Sequence, residues 1–431
     1  MLSRLKCSVQ TYDWGRLGES STVSQLASLN GDIQIDSNAR YAEYWFGTHH
    51  AGPSSVRGEN KEVTEETLSL WLSHNEDALG SMTDRPDCVV ADNFCGLPYL
   101  AKVLSIDRCL SIQAHPDKAL AEKLHAERPD VYKDPNHKPE MAIALTPFEA
   151  MCGFRHVDEI LGFISTVPEL RAILVSGEAA IESLQTAAQS GEAKAVSTAL
   201  QQVFRIYANA DKQLVAAQVD ALVARVTAAA AACSSSVVDV GTEADPSGKM
   251  LAESLAVRLA NQFPGDIGVF APFILNFMRL KPGDAIFLAA NEPHAYVSGD
   301  CFEVMANSNN VVRMGCTPKL RDVPVLTEML TFSSGLPTVL SGEPSNDSVR
   351  IYKPTDPAVT EFQVERVEVA NGVSCKLTLP STPAIIIVLK GDVTLSGLTA
   401  SRGHVFVQRA GTELEVTGTG ETQLFRVQCR E

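Results

Sequence analysis

The sequence predicts a mainly β protein with an α-helical insertion: two jelly-roll-like β domains plus an all-α domain. Three observations predict it. Short apolar runs punctuated by Pro and Gly fill residues 97–155 and return over 265–325. Residues 156–262 change character, with Ala, Glu, Gln, Leu and Val in place of turn residues and apolar positions at helical spacing. From about residue 335 onward, short alternating runs recur with turns between them, the habit of a second β-barrel. A helical block flanked by two β-rich stretches reads as an insertion. The expected division is therefore 1–155 with 263–330, 156–262 as the insertion, and 331–431.

The elements follow in order. Residues 1–100 mix short strands and turns, with aromatic clusters at Tyr12-Asp13-Trp14-Gly15 and Tyr41–Gly52 that read as packing under loops. Residues 62–82 read as helical, with Leu68, Leu70, Trp71 and Leu79 among acids. His49 and His50 are adjacent, face opposite sides of a strand, and receive no role. Leu100–Leu104 is a strand, a turn follows at 105–108, and Cys109–Ala114 is a second strand. A helix is expected over Lys118–Arg128, then a polar loop from Asp134 to Pro139 and a strand from Met141. In the insertion, Ile160, Leu161 and Ile164, then Leu214, Val215, Val219 and Leu222, keep helical spacing, and Ala228–Ala232 is a strong helix former. Ser234–Gly248 is a polar loop and Leu251–Ala260 resumes a helix. Gly265–Phe270 is a turn into a strand, and Asn276 lies on the next one. In the tail, Ile385–Leu389 is an apolar strand whose Lys390-Gly391-Asp392 ending signals a hairpin, and His404 is structural.

Gln113 and His115 are two apart, so on an extended chain they share a face. Glu140 starts the strand after the polar loop. Gln, His and Glu emerging at strand ends beside Pro turns are plausible ligands for a hard or borderline metal. A fourth candidate strengthens the set. The Lys281-Pro282-Gly283-Asp284 turn and a short apolar strand lead to Pro293-His294, which places His294 at a barrel mouth.

The chain has 431 residues, enough for two or three domains, and is 45% hydrophobic and 20% charged, as globular proteins are. A formal net charge of −16 argues against broad nucleic-acid or anionic-membrane binding, while leaving room for a local basic pocket. The 10 cysteines form no C-x-x-C pair and read as reduced, buried thiols. No signal-peptide core opens the chain, and no run approaches the roughly 18 apolar residues of a membrane span. A cytoplasmic enzyme is the simplest class.

The chain resembles the type I mannose-6-phosphate isomerases (phosphomannose isomerases) of the cupin superfamily. The resemblance is carried by Tyr12-Asp13-Trp14-Gly15, Ala42–His49, Leu97–Leu104, Ser111–Asp117, Asn136–Met141, Glu149–Arg155 and residues 280–319. Gln-x-His-Pro, His-Lys-Pro-Glu and Pro-His-Ala-Tyr in this order are specific together. The resemblance implies a cupin-type barrel carrying the site, an inserted helical domain and a cupin-like C-terminal domain. It implies reversible conversion of mannose 6-phosphate to fructose 6-phosphate through a cis-enediol, with one Zn²⁺ per chain held by Gln113, His115, Glu140 and His294. It further implies a monomer and a role in GDP-mannose biosynthesis. Arg313 matches the catalytic arginine of the family. Lys138 sits two residues before a ligand, and Lys102, Ser111 and Lys319 match positions of the substrate pocket. The base stays open among His137, Glu303, Tyr296 and a metal-bound water. One departure stands out: where the family reads Ser-Asp-Asn-Val-x-Arg, this chain has Asn309 in place of the Asp. The alternative reading is a catalytically impaired paralogue that binds metal and sugar phosphate.

Overall fold

The computed structural model describes residues 2–58, 63–85, 89–91, 94–232 and 248–430. The 234–247 stretch, read from sequence as a polar loop, lies outside the described residues. The centre of the molecule is an antiparallel sheet system that orders Val339–Leu340, Ala285–Leu288, Glu140–Ala144, His294–Ala306, Tyr99–Ile106, Glu43–Phe46 and Ser8–Gln10. The long strand His294–Ala306 is its hub. It pairs with Tyr99–Ile106 and Glu140–Ala144 along its second half, and with Phe148–Phe154 and the short strand Ile112–Ala114 at its start. Every residue of Tyr99–Ile106 and Glu140–Ala144 is buried, and within these otherwise largely apolar strands Lys102 and Glu140 are buried charges.

A second sheet joins the two ends of the chain. Gln363–Val369, Thr422–Gln428, Ala384–Lys390 and Val405–Gln408 lie side by side, and Leu2–Lys6 pairs with Val405–Gln408 on one edge and Ser55–Arg57 on the other. It faces a smaller sheet of Ser374–Leu377, Leu414–Gly418, Asp392–Leu395 and Leu398–Ser401 across a core of Val367, Ile386, Val393, Leu395, Phe406, Val416 and Leu424. This is the second β-barrel expected from the tail. Lys390-Gly391-Asp392 is a tight turn, with Gly391 at φ +72°, but it joins strands of different sheets rather than a paired hairpin. His404 Nδ1 accepts the Ser401 amide, as a turn residue would.

The block between the β regions is helical: Val157–Thr166, Pro168–Ile173, Glu178–Ser190, Ala193–Ala208, Lys212–Ala232 and Lys249–Gln262. The apolar stripe read from sequence is the buried one, with Ile160, Ile164, Val215, Val219 and Leu222 in a common core. By length and composition alone Lys212–Ala231 would be long and apolar enough to cross a membrane, but it is no unbroken apolar run, since Gln213, Gln218, Asp220 and Arg225 interrupt it. Arg225 in the same helix is paired with Glu169 and Glu253, and the inward valines pack in the helical core.

Two local expectations change. Residues 62–82 are not one helix: Val63–Thr67 is a strand, and the helix spans only Leu68–His74. Val63, Thr64 and Thr67 are β-branched, and Thr67 caps the helix by accepting from the Leu70 amide. Ile267–Phe273 is a 3-10 segment rather than a strand, opened by Asp266, whose Oδ1 accepts from the Gly268 amide. Cys7, Cys109, Cys152, Cys301, Cys316, Cys375 and Cys429 are free and buried.

Candidate metal centre and substrate cavity

Three strand ends converge on one buried cluster. Ile112–Ala114 stops before Pro116 and delivers Gln113 in register opposite His294, with His115 just beyond the strand. Glu140 opens its strand, and so does His294. The ligand atoms of His115, Glu140 and His294 lie within 4.8 Å of one another. His115 Nε2 is 3.4 Å from Glu140 Oε1, and His294 Nε2 is 3.4 Å from Glu140 Oε2.

The protonation pattern is dictated by the outer partners. His115 Nδ1 donates to the Asn310 carbonyl at 2.6 Å, and His294 Nδ1 donates to the Glu292 carbonyl at 3.1 Å. A carbonyl only accepts, so both protons sit on Nδ1 and both Nε2 atoms present bare lone pairs. Burial, outweighing the pull of Glu140, holds His115 neutral, with its pKa down at about 4. Burial alone would push the Glu140 carboxyl up, but Lys138, with its Nζ at 3.0 Å, and then His115 bring it well below the usual range. The result is two lone pairs and a carboxylate facing one another. His115 Nε2, His294 Nε2 and Glu140 Oε2 all lack a hydrogen-bond partner. Such an arrangement repels itself unless a cation sits within it, so the residues fit a divalent metal.

A cavity of about 640 Å³ opens beside the cluster. It is lined by Gln113, Glu140, Ser111, Lys102, Lys138, Tyr296, Glu303, Arg313 and Lys319, which the sequence had singled out. Ser111 Oγ donates to Gln113 Oε1 at 3.4 Å. Lys102 Nζ lies 2.9 Å from Glu303 Oε2 and 3.6 Å from Glu43 Oε2, and 5.4 Å from the centroid of Trp45. Burial would lower the Lys102 pKa, but Glu303, Glu43 and Glu140 raise it, so it is a firm cation. Glu303 is 3% exposed. Burial raises its pKa, Lys102 opposes, and Glu140 adds to the rise. Burial also lifts the Tyr296 phenol well above its ordinary value, and its hydroxyl makes no geometrically sound hydrogen bond. Arg313 Nε has no partner, and no acid pairs with Arg313 among the described residues, so its charge is available to a ligand.

His137 is placed elsewhere. Its imidazole turns away from the cavity and pairs with Glu361. Lys138 and Glu140 are two apart and share a face, which sends the side chain between 136 and 138 the other way. Sequence reasoning passed over Glu43 and gave His49 no role, yet both line the cavity, as does Asn309, which it singled out as a departure from the family pattern. Glu43 and Trp45 alternate on one strand, and Trp45 Nε1 donates to Glu43, so a shared inward face was the available signal.

A buried His-Glu-His cluster at the mouth of a jelly-roll barrel, beside a cation-rich cavity, defines a metal-site cupin. Residues 2–157 match the phosphomannose isomerase type I catalytic domain, and residues 174–275 match the helical insertion domain of the same type. The chain is 40% identical to the mannose-6-phosphate isomerase of Homo sapiens over 448 residues, covering 99% of this chain and 98% of the relative. It is 38% identical to mannose-6-phosphate isomerase 2 of Arabidopsis thaliana, over 99% and 93% of the two chains. A crystal structure of mannose 6-phosphate isomerase bound with zinc and yttrium superposes with a TM-score of 0.77 at 27% identity, covering 100% of both chains. The chain belongs to the type I phosphomannose isomerase family.

Proposed function

We propose that the protein is a zinc-dependent aldose–ketose isomerase that interconverts mannose 6-phosphate and fructose 6-phosphate through a cis-enediol. The observation that carries this reading is the pair of bare Nε2 atoms facing the Glu140 carboxylate at the edge of a cation-lined cavity. The domain reading that accompanies it keeps the catalytic barrel at 1–155 and 263–330, the helical insertion at 156–262 and the C-terminal β domain at 331–431.

His115, Glu140 and His294, with Gln113 beside them, would hold the zinc. Bound there, the metal supplies a Lewis acid for the oxygens on the first two carbons of the sugar. The remaining work falls to the chain's own groups. Moving a proton between adjacent carbons needs a base at the cavity wall, and Glu303 suits this best among the candidates. It is buried, lines the cavity, and its raised pKa makes its carboxylate a stronger base. Lys102 holds that carboxylate in place through its Nζ contact. Tyr296, with a phenol far above its ordinary pKa, keeps its proton and serves as a donor rather than a base. Arg313 and Lys319 offer cationic partners to the phosphate and to developing negative charge, and Ser111 orients Gln113. Lys138 sets the ionised state of Glu140.

The binding-only alternative is not favoured. The four metal positions, Arg313 and Glu303 all meet at one site, while Asn309 is bonded through its backbone N–H to Asp134 and leaves that site intact. The test is NMR of the zinc-loaded protein with mannose 6-phosphate. Appearance of fructose 6-phosphate supports the reading, and a folded, zinc-loaded protein that leaves the sugar unchanged overturns it.

A further inference from the structure

Two stretches of chain wall the cavity side by side. Ile112–Ala114 pairs antiparallel with Val312–Gly315, Gln113 against Arg313 and Ile112 against Gly315. Antiparallel pairing carries the chain from 113 back to 108 and from 313 on to 319 in the same direction, away from the metal cluster. Arg108, Ser111 and Gln113 line the cavity on one stretch, and Arg313, Thr317 and Lys319 on the other. Gln113 and Arg313 thus stand at the metal end, and Arg108 and Lys319 at the far end. Arg108 comes five residues before Gln113, at most about 17 Å away along extended chain. It is exposed at the cavity wall, and the chemistry above assigns it no task.

The far end is built by the exit of the helical block. The last helix, Lys249–Gln262, stops here, and Phe263, next along, lines the cavity. The Arg108 guanidinium lies over the Phe263 ring, 4.5 Å from its centroid, and donates one N–H to the Gln262 carbonyl. The backbone beneath is pinned as well. Arg108 N–H donates to the Trp14 carbonyl at 3.2 Å, and Cys109 N–H donates to Gln262 Oε1 at 3.0 Å. On the other stretch, Asp266 Oδ1 accepts from the Cys316 amide at 2.7 Å. Gly315 packs so closely on Gly268 that a Cβ there would fall 2.8 Å from the Gly268 nitrogen, so no side chain fits. The segment 262–268 therefore sets the spacing between Arg108 and Lys319. A guanidinium carries several N–H donors, and no acid pairs with Arg108 or Lys319 among the described residues. Resting on an aromatic face, the Arg108 fork keeps donors open at little further cost in side-chain freedom.

We propose that Arg108 is a substrate-binding residue that, with Lys319, receives the phosphate at the end of the cavity remote from the metal cluster, and that Gln262 and Phe263 are its positioning residues. The substrate assigned here rests on the isomerase reading. A sugar phosphate carries its reacting carbons and its phosphate at opposite ends. That matches a cavity with the His-Glu-His cluster at one end and two acid-free cations at the other. Lys102 and Lys138 do not serve in this way, because Glu303 and Glu140 already hold them. The helical block thereby gains a part in substrate binding, since its exit carries the platform on which Arg108 rests.

The test uses the full-length, zinc-loaded protein. Arg108→Met keeps an apolar stem over Phe263 and removes the charge, so a wild-type melting profile is expected. Its KM for mannose 6-phosphate rises roughly five- to twentyfold, the worth of one charge-assisted hydrogen bond, and the loss falls more on KM than on kcat. Arg108→Lys, which keeps the charge without the fork, lies between Arg108→Met and wild type. Phe263→Leu leaves Arg108 in place but removes its platform, and raises KM roughly two- to fivefold. Inhibition by unphosphorylated mannose is unchanged in Arg108→Met, because the contact is with the phosphate. A wild-type KM in Arg108→Met, equal values for Arg108→Met and Arg108→Lys, or equal weakening of mannose and mannose 6-phosphate overturns the phosphate contact while the isomerase reading stands. A wild-type KM in Phe263→Leu overturns the positioning role of the helical block. Absence of wild-type turnover overturns the isomerase reading, and calorimetric titration of mannose 6-phosphate then judges the contact: weaker binding by Arg108→Met sustains it, and equal binding overturns it.

Discussion

Replacing Glu303 with Gln removes the proposed base and little else. The amide has nearly the volume of the carboxyl and sits at a position that is 3% exposed, so the packing survives. Lys102 loses its 2.9 Å partner but keeps Glu43 at 3.6 Å, and its charge is not stranded. An amide cannot accept a proton, so the chemical step loses its general base, which is worth roughly 10²–10⁴ in rate, or about 3–5 kcal/mol. The assay is twofold: kcat for mannose 6-phosphate, and exchange of the transferred hydrogen with deuterium from solvent. The variant is expected to lose both in proportion while still holding zinc and folding with a wild-type melting profile. The pH dependence adds a sign. Because the pKa of Glu303 is raised, wild-type turnover falls as pH drops through that raised value, and this limb disappears in the variant. A Glu303→Gln enzyme with kcat within tenfold of wild type would refute the assignment and move the proton transfer to another group.

Other expectations follow from the same geometry. Glu140→Gln leaves two neutral imidazoles with no charge between them, so bound zinc, read by elemental analysis, falls by more than the roughly 10–100-fold typical of losing an outer partner. In the C-terminal barrel, fully buried Arg426 makes a two-point contact with Glu365, at 2.9 and 2.7 Å, and also reaches Gln408. Arg426→Met should cost about 3–5 kcal/mol in urea unfolding by stranding Glu365, and the double variant Arg426→Met, Glu365→Leu should recover most of it. His49, whose folded pKa is depressed from 6.5 to about 4, binds its proton more readily when unfolded. Its contribution to stability is complete above about pH 6.5 and lost as pH falls toward 4, so His49→Phe should flatten that part of the stability profile.

Much of the site could be read before the fold because its ligands stand at strand ends. Gln113 and His115 straddle one residue before Pro116, and Glu140 and His294 each begin a strand after a Pro-containing turn. Alternation then dictates which side chains share a face. The same rule was available for His137 and was not applied: with Lys138 and Glu140 facing the cavity, His137 has to face away, where Glu361 meets it. The carbonyls of Asn310 and Glu292, which set both histidine tautomers, carry no side-chain signature and emerge only from the folded backbone. The place of His49 on the cavity wall was hidden by an aromatic neighbourhood that reads as packing. The helical insertion was legible because its apolar stripe is local, and its Ile160, Ile164, Val215, Val219 and Leu222 are the buried positions. The pairing of Leu2–Lys6 with Val405–Gln408 was not, since nothing in either strand's own pattern names a partner at the other end of the chain.

The most direct measurement is turnover of mannose 6-phosphate to fructose 6-phosphate in a coupled assay, before and after chelator and again after zinc is returned. Activity that disappears with the chelator and comes back with one zinc per chain is the expected result. Unchanged turnover in protein shown by elemental analysis to be metal-free, or none in a folded protein carrying one zinc per chain, would contradict a catalytic role for the His115–Glu140–His294 cluster.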